Sequence, residues 1–406
     1  MPIWQYPQFL RYWIGDTASA WWGNAFQVAL YWTLAVHAHG AEELGWLSFW
    51  STAPVLVGGP MVARLFQRFG IRPVMVADLG LRAAVYGSLA VWLICFGVGR
   101  GWFIDVASAA MGLTFIATAS GGPSLWPRLI PEEGVPIAMK LEQTGWHVAA
   151  VGGSMTGGLL IMVMPLPGLA LAASVIFLAA GLNLGALSVP FGHGTPNPRY
   201  PEHSALRPWA IVRGDVRLWA PLLVFLMSNL GAGDLTVVEP VMVHNWHAPG
   251  FFYGLLGGLG ALMGTIGAWF WPSRRSARPM LSRLWLMESV AGLAIAGYWV
   301  GLSHPVWAFF GMIVSAGLAG GTAVMVMQLR FAALPDDRRA VVLAHIRTVL
   351  QAAGPIGALL AGQWIGHHRL GPAIGAAILL SVVPSVGLLA RRVGCQSEPA
   401  ARSAGR

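Results

Sequence analysis

Long runs of apolar residues alternate with short polar segments along the whole chain. Each run holds about 18 to 25 residues, which lets a helix cross roughly 30 Å of hydrocarbon. The runs do not show the ~10-residue alternation that is typical of outer-membrane strands. The pattern predicts an all-α membrane protein with twelve transmembrane helices, at residues 12–36, 44–66, 74–98, 102–125, 137–163, 167–190, 217–243, 250–271, 280–302, 305–328, 341–365 and 371–390.

One polar segment, at residues 191–216, is longer than the others. It is rich in proline, which predicts an extended linker and not a folded domain. The linker divides the chain into two six-helix halves, 1–190 and 217–393. A tail follows at 394–406. We expect the linker and the tail to lie in the cytoplasm.

Composition supports a membrane protein and excludes several other classes. Hydrophobic residues make up 56% of the chain and charged residues only 10%, against about a quarter in soluble domains. The mean hydropathy is +0.63. These values exclude a soluble enzyme and a disordered protein. The only cysteines, Cys95 and Cys395, do not form a pattern typical of a disulfide framework or a metal site.

The basic residues lie almost entirely on one side of the predicted membrane. Of 25 Lys and Arg residues, 23 fall at the termini or in the even-numbered loops, and only Arg100 and Arg369 fall on the other side. The positive-inside rule therefore predicts cytoplasmic termini in an inner (plasma) membrane. This distribution also explains the net charge of +9 without nucleic acid, and no nucleic-acid motif is found in the sequence.

The two halves repeat each other at a nearly constant offset. Four matches at 204 to 206 residues, each in the corresponding loop or span, indicate duplication of a six-helix unit. Parallel repeats of this kind are typical of transporters that hold substrate between the halves near the bilayer midplane. The matched segments are 11–13 with 217–219, 72–73 with 278–279, 129–133 with 333–337, and the small residues of 153–158 with those of 357–362.

The segments 68–83 and 128–160 also carry a family resemblance. RFGIRPVMVADLGLRA resembles the loop 2–3 signature and span 3 of the major facilitator superfamily, and is most similar to the bacterial efflux branch that includes the enterobactin exporter. The resemblance implies a twelve-helix fold and alternating access. Two features depart from it: Gln67 stands where the family motif has Asp, and residues 102–125 lack the Arg of proton-coupled relatives.

Gating and helix packing are assigned partly from that resemblance. Asp78 and Arg82 are four residues apart at the start of span 3, and this spacing predicts an ion pair at the inner gate instead of substrate ligands. Small residues in spans 5 and 11 predict close helix contacts and flexible helix segments. The candidates are Arg68, Gly70, Arg72, Asp78, Arg82, Gly153, Gly157, Gly158, Gly354 and Pro355.

Polar side chains within the spans are candidates for the substrate cavity. In span 1 they form a stripe at helical spacing, and such a stripe is costly to expose to lipid. Gln143 and His147 share one face of span 5. Helix packing is the alternative interpretation for each position. The predicted cavity residues are Asp16, Asn24, Gln27, Gln143, His147 and Asn229.

Two acidic residues in the second half are candidates for proton coupling. Asp234 lies in the outer half of span 7 and Glu288 lies in span 9. An acidic side chain inside the membrane indicates a functional site by default, and a structural ion pair is the alternative.

The sequence as a whole predicts a secondary active transporter and not an enzyme. It lacks a nucleotide-binding loop, and Lys140 is its only lysine, so we expect no nucleotide and no cofactor or metal. We predict proton-coupled efflux of an amphipathic organic compound, such as a drug or siderophore. A lysophospholipid flippase of the same fold is the first alternative, and a non-transporting membrane sensor is the second.

Overall fold

The computed structural model is helical throughout the residues that it describes, with no strand among them. These residues are 5–37, 39–98, 101–131, 134–187, 208–270, 277–334, 336–367 and 370–402. The helices are α1 (Pro7–Ala35), α2 (Gly40–Phe69), α3 (Ile71–Phe96), α4 (Trp102–Leu129), α5 (Val135–Leu160), α6 (Leu166–Gly185), α7 (Pro208–Gly214), α8 (Val216–Asn245), α9 (Gly250–Phe270), α10 (Ala277–Ala294), α11 (Ala296–Gly301), α12 (Pro305–Ala333), α13 (Asp336–Gly366) and α14 (Leu370–Arg402).

Thirteen of these fourteen helices correspond to the twelve predicted spans. The short α7 is not a span, and α10 and α11 form one span that is interrupted only at Ile295. Within the described residues, seven spans are both long and strongly apolar: those of α3, α6, α8, α9, α10 with α11, α12 and α14. Among the remaining spans, α1 contains the polar stripe described above.

The chain divides into two compact units. The first comprises residues 1–205 and 243–258, and the second comprises residues 206–242 and 259–406. In the first unit α1 packs on α5 and α6, α3 packs on α4 and α6, and α2 packs on α4. In the second unit α10 packs on α12 and α14. The predicted halves, 1–190 and 217–393, stay a prediction.

The linker differs from expectation where the structure describes it. Residues 208–214 of the predicted extended linker form α7, because Pro208 has the backbone angle that suits a first helical position. Val212 of α7 is buried in a cluster with Leu218 and Ile346. The tail is helical as far as Arg402, because α14 continues past the predicted span. Residues 188–207 lie outside the described residues.

Candidate functional site

The first unit encloses a cavity of about 400 Å³. Six helices contribute to its wall, so the cavity lies at the centre of the packed N-terminal helices. A volume of this size suits a small organic molecule. The lining residues are Asp16, Ser19, Ala20, Gly23, Asn24, Phe26, Gln27, Leu30, Tyr31, Leu47, Ser51, Thr52, Arg82, Tyr86, Leu89, Ser108, Met111, Gly112, Thr118, Trp146 and Phe177.

The polar stripe of α1 forms one wall of this cavity. Ser19 Oγ donates a hydrogen bond to the backbone oxygen of Asp16 at 2.8 Å, and Asn24 Nδ2 donates to the backbone oxygen of Ala20 at 2.8 Å. The Gln27 side chain is exposed. Gln27 therefore offers the cavity a hydrogen-bonding amide that solvent, or a solute, can reach.

Aromatic side chains form the apolar part of the wall. The rings of Tyr86 and Phe177 stack with centroids 5.1 Å apart and planes 23° apart. Phe26 meets Tyr86 edge to face, also at 5.1 Å. Trp146 of α5 completes this surface. The cavity thus combines hydrogen-bonding groups from α1 with flat apolar surface from α3, α5 and α6.

A charged network borders the cavity between α3 and α4. Arg82 Nε lies 3.4 Å from Asp78 Oδ1, and Thr118 donates a hydrogen bond to Asp78 Oδ2. The Arg82 guanidinium also lies over the Phe177 ring, 5.7 Å from its centroid. The ion pair expected from the sequence is therefore present. Its role as an inner gate stays a prediction.

A second acidic group joins α1 to α5. The carboxyl groups of Asp16 and Glu142 lie within hydrogen-bonding range of each other. Tyr12 donates from its hydroxyl to Glu142 Oε1 at 3.4 Å. Glu142 is only 8% exposed, whereas Asp16 lines the cavity. Together with the Asp78–Arg82 pair, the described side chains of this region supply three carboxyl groups and one guanidinium.

The other predicted cavity residues lie elsewhere. Gln143 is exposed and His147 is half-buried, and neither lines the cavity of the first unit, where Trp146 of the same helix does. Asn229 belongs to the second unit, where its Nδ2 donates to the backbone oxygen of Leu350 at 3.3 Å. Their proposed contact with substrate stays a prediction.

The acidic residues of the second unit are deeply buried. Glu288 is 2% exposed and accepts hydrogen bonds from Thr322 and, at 3.3 Å, from Ser228. Asp234 is 3% exposed, and its Oδ1 has no hydrogen-bond partner among the described residues. A carboxylate without a partner is costly to bury, so Asp234 stays a candidate for proton binding.

The glycines of spans 5 and 11 lie where helix backbones touch. A Cβ atom on Gly153 would come 2.5 Å from the backbone oxygen of Trp21 in α1, and one on Gly157 would meet that of Ala25. A Cβ atom on Gly158 would instead lie 3.0 Å from the Cα atom of Gly254 in α9.

The second unit repeats this kind of contact. Gly354 presents its backbone oxygen to Gly233 of α8, and Gly357 meets the backbone oxygen of Leu230. Pro355 lies within α13 between them. Small residues thus bring α13 and α8 into backbone contact, as they do α5 and α1.

The loop 2–3 residues form a sharp turn between α2 and α3. Gly70 has φ of 85°, a conformation that residues with a side chain rarely adopt, and it separates the two helices. Arg72 donates from Nε to the backbone oxygen of Leu184 at 3.2 Å, so it ties the start of α3 to the end of α6. The Arg68 guanidinium lies over the Phe69 ring at 5.2 Å.

Several residues of the site were not predicted from the sequence as site residues. Glu142, Tyr86, Thr118 and Phe177 take their place in the site from contacts between helices, which periodicity within one helix does not report. The repeat offset does carry a signal for Thr118, because Thr322 lies 204 residues later and both hydroxyls reach an acidic side chain.

The described residues contain no group of three or more His, Cys, Asp or Glu side chains placed to hold a metal ion. The polar groups that line the cavity are mainly amides, hydroxyls and single charged side chains. They suit hydrogen bonding to an organic solute.

Solved transporters share this fold. The structure is similar to a variant of the nucleoside transporter NupG, with a TM-score of 0.74 and 12% identity, covering 94% of this chain and 99% of the other. It is also similar to a bacterial homologue of the human lysosomal transporter Spinster, with a TM-score of 0.70, 10% identity, and coverage of 96% and 98%. For a bacterial homologue of the iron transporter ferroportin the TM-score is 0.65, with 16% identity and coverage of 95% and 99%.

At these identities the likeness establishes the fold alone. A comparison with curated protein sequences finds no match. The family profile described as Major Facilitator Superfamily matches residues 17–358, which is more than half of the chain. Together with the all-helical architecture, this match makes the chain a multi-pass membrane transporter that belongs to the Major Facilitator Superfamily.

Proposed function

We propose that this transporter exports an amphipathic organic compound in exchange for protons by alternating access. The observation that carries the proposal is the two-sided wall of the cavity in the first unit. One side offers the Asp16 carboxyl group and the Gln27 amide, and the other offers the stacked rings of Tyr86 and Phe177. A solute with an apolar body and a polar group fits both sides.

Charge supports coupling to protons. Among the described side chains of this region, the carboxyl groups of Asp16, Asp78 and Glu142 outnumber the one guanidinium, that of Arg82, by two groups that can bind a proton. The sequence contains no nucleotide-binding loop that would supply energy from ATP. An ion gradient is then the available energy source, and acidic side chains within the membrane are the usual carriers of protons.

We also propose that the protein resides in the inner membrane with both termini in the cytoplasm. The support is the distribution of 23 basic residues on one side against two on the other. A phosphatase that is active only in the periplasm, fused after Arg392, should remain inactive. A fully active fusion would overturn the topology.

Transport in proteoliposomes with an imposed pH gradient tests the function. The panel contains an amphipathic dye cation, a catecholate siderophore, uridine, a lysophospholipid and Mn²⁺. We expect movement of the dye or the siderophore that collapses with a protonophore. Movement of the lysophospholipid alone would favour the flippase instead. Uridine or Mn²⁺ as the only solute moved would contradict an amphipathic substrate.

A matched pair of glutamines links that activity to the cavity. Gln27→Ala removes an amide from the cavity wall, whereas Gln363→Ala removes an exposed amide of α13 that does not line it. One lost hydrogen bond of about 0.5–1.5 kcal/mol predicts a rise of about 2- to 10-fold in KM for Gln27→Ala. The Gln363→Ala variant should match the wild type. Equal KM values for all three proteins would place substrate binding elsewhere.

A further inference from the structure

The Asp16 and Glu142 carboxyl groups face each other across a tightly packed helix pair. Trp13 of α1 donates from Nε1 to the backbone oxygen of Leu141 in α5 at 2.8 Å. One turn further, a Cβ on Gly145 would come 2.8 Å from that same Nε1, so no larger residue fits between the helices. The Trp13 hydrogen bond and the close approach at Gly145 therefore hold α1 and α5 together beside the two carboxyl groups.

The hydrogen bonds of this pair lack one donor. Glu142 Oε1 accepts from the Tyr12 hydroxyl, but the buried Oε2 has no donor among the described residues. Asp16 is the neighbouring polar group, and an ionised carboxylate can only accept hydrogen bonds. A proton on either carboxyl group supplies the missing donor and also removes the repulsion between two like charges in contact.

The groups around the pair do not replace that proton. From α1 the pair meets Tyr12, and from α3 it meets the fields of Asp78 and Arg82. Arg82 is ion-paired with Asp78 at 3.4 Å, so much of its charge is already balanced. On the α4 side, a Cβ on Gly122 would lie 3.7 Å from Glu142 Oε1, and that glycine brings no charge. On α5 itself, the Trp146 indole hydrogen-bonds to Glu142 but carries no charge, Lys140 is exposed, and His147 lies five residues beyond Glu142.

We propose that Asp16 and Glu142 together bind one shared proton and form the proton site of this transporter. The role of the pair in transport rests on the proposed proton exchange, whereas the site itself is defined by the geometry of α1 and α5. Asp16 lines the cavity, so it is the member through which the proton enters and leaves. On release, the O–H bond breaks, a cavity water accepts the proton, and the pair is left with two negative charges. The site lies in the first unit, whereas the sequence directed attention to Asp234 and Glu288 in the second.

Infrared spectroscopy of the full chain in lipid nanodiscs tests the pair without a known substrate. The C=O stretch of a protonated carboxyl group disappears as the pH is raised, and its intensity counts protons. We expect Asp16→Asn and Glu142→Gln each to remove the same one-proton step. The double variant should remove no more than either single variant, because the two groups hold one proton between them.

Asp234→Asn is the matched control, since Asp234 is a buried acidic residue of the second unit. It should leave the one-proton step of the pair unchanged. Two separate steps, one lost in each single variant, would overturn the shared proton. An unchanged spectrum in Asp16→Asn would also overturn the shared proton. If Glu142→Gln fails to fold, the Asp16→Asn result is sufficient by itself.

Transport separates this inference from the proposed function. In proteoliposomes, Asp16→Asn and Glu142→Gln should each lose transport driven by a pH gradient by at least 10-fold. Glu142→Gln, at a residue that does not line the cavity, should retain exchange of solute for solute. If the wild type moves no solute with a pH gradient, the proposed function fails, and the infrared count still decides whether the pair binds a proton. If Asp16→Asn keeps full gradient-driven transport, the pair is not the coupling site.

Discussion

Equivalent positions in the two halves carry opposite charges. Glu288 lies 206 residues after Arg82, and Thr322 lies 204 residues after Thr118, the two offsets of the internal repeat. In the first half Thr118 donates to Asp78, which is ion-paired with Arg82. In the second half Thr322 donates directly to Glu288.

The difference shows that positions separated by the repeat offset can hold two kinds of polar group. The first half balances an acidic side chain with a guanidinium 3.4 Å away. The second half surrounds an acidic side chain with the hydroxyls of Ser228 and Thr322, and the described residues there supply it with no cation. A salt bridge needs both partners, whereas a carboxyl group among hydroxyls needs only hydrogen bonds.

Removing the Arg82 cation of the first half should lower the stability of the protein the most. Arg82→Ala leaves Asp78 buried without its partner, which costs about 3–5 kcal/mol in comparable buried pairs. We expect a strongly lowered temperature of thermal unfolding in detergent. The double variant Asp78→Asn with Arg82→Ala should recover part of the loss. A single variant no less stable than the double would contradict the ion pair as the stabilising element.

The matched threonines measure the charge state of each carboxyl group. Thr118→Val and Thr322→Val each remove one hydroxyl and keep the shape of the side chain. A hydrogen bond to a charged group contributes about 1.5–3 kcal/mol, and one to a neutral group about 0.5–1.5 kcal/mol. We therefore expect Thr118→Val to lower the free energy of unfolding more than Thr322→Val. A larger loss in Thr322→Val would contradict a charged Asp78 in the first half and a neutral Glu288 in the second.

Removing the Glu288 charge of the second half should change the free energy of unfolding only slightly. Glu288→Gln keeps an oxygen that accepts from Thr322 and Ser228, and it needs no cation. We expect a change of less than about 1 kcal/mol in the free energy of unfolding, in either direction. Asp78→Asn is the comparison in the first half, because it breaks an ion pair. Equal losses in both variants would show that Glu288 also has a charged partner.

The smallest effect is expected for a charge pair outside the membrane. Asp215 accepts hydrogen bonds from the backbone and side chain of Arg217, and this contact lowers the pKa of Asp215 below its ordinary value of 3.8. Because the folded state has the lower pKa, the stabilisation is present at neutral pH and is lost as the pH falls through that lower value.

Asp215→Asn tests this pair, because Asn keeps a cap for α8 and removes the charge. A surface ion pair predicts a loss of about 0.2–1 kcal/mol at pH 7 that vanishes in acid. Unfolding by chemical denaturant at several pH values measures it. A loss that persists in strong acid would assign the effect to helix capping instead.

Much of the fold was predictable because its signals lie within single helices. Apolar runs located the spans, and the spacing of Asp16, Asn24 and Gln27 predicted the α1 face that lines the cavity. The i, i+4 spacing of Asp78 and Arg82 was enough to predict their contact. These inferences need only the helical period and the thickness of a bilayer.

Contacts between helices were not predictable in the same way. Asp16 and Glu142 are 126 residues apart, and neither helix alone indicates that their carboxyl groups meet. Polarity as a criterion selects Gln143 on α5, whereas the α5 side chain that lines the cavity is the aromatic Trp146. Proline content predicts an extended linker, whereas Pro208 occupies the first position of α7.

The backbone contacts at the glycines also constrain which sequences can encode this protein. Glycine is the smallest residue, so every coding change at Gly153, Gly157 or Gly357 adds at least one carbon atom facing the carbonyl oxygen of a neighbouring helix. Gly80 of α3 has open space around it and admits that atom freely. A library of all single-codon variants should therefore be depleted at the first three positions and tolerant at the fourth. The adaptive paths open to the gene then run through the cavity wall and the lipid-facing surface, where a side chain can change without moving a helix.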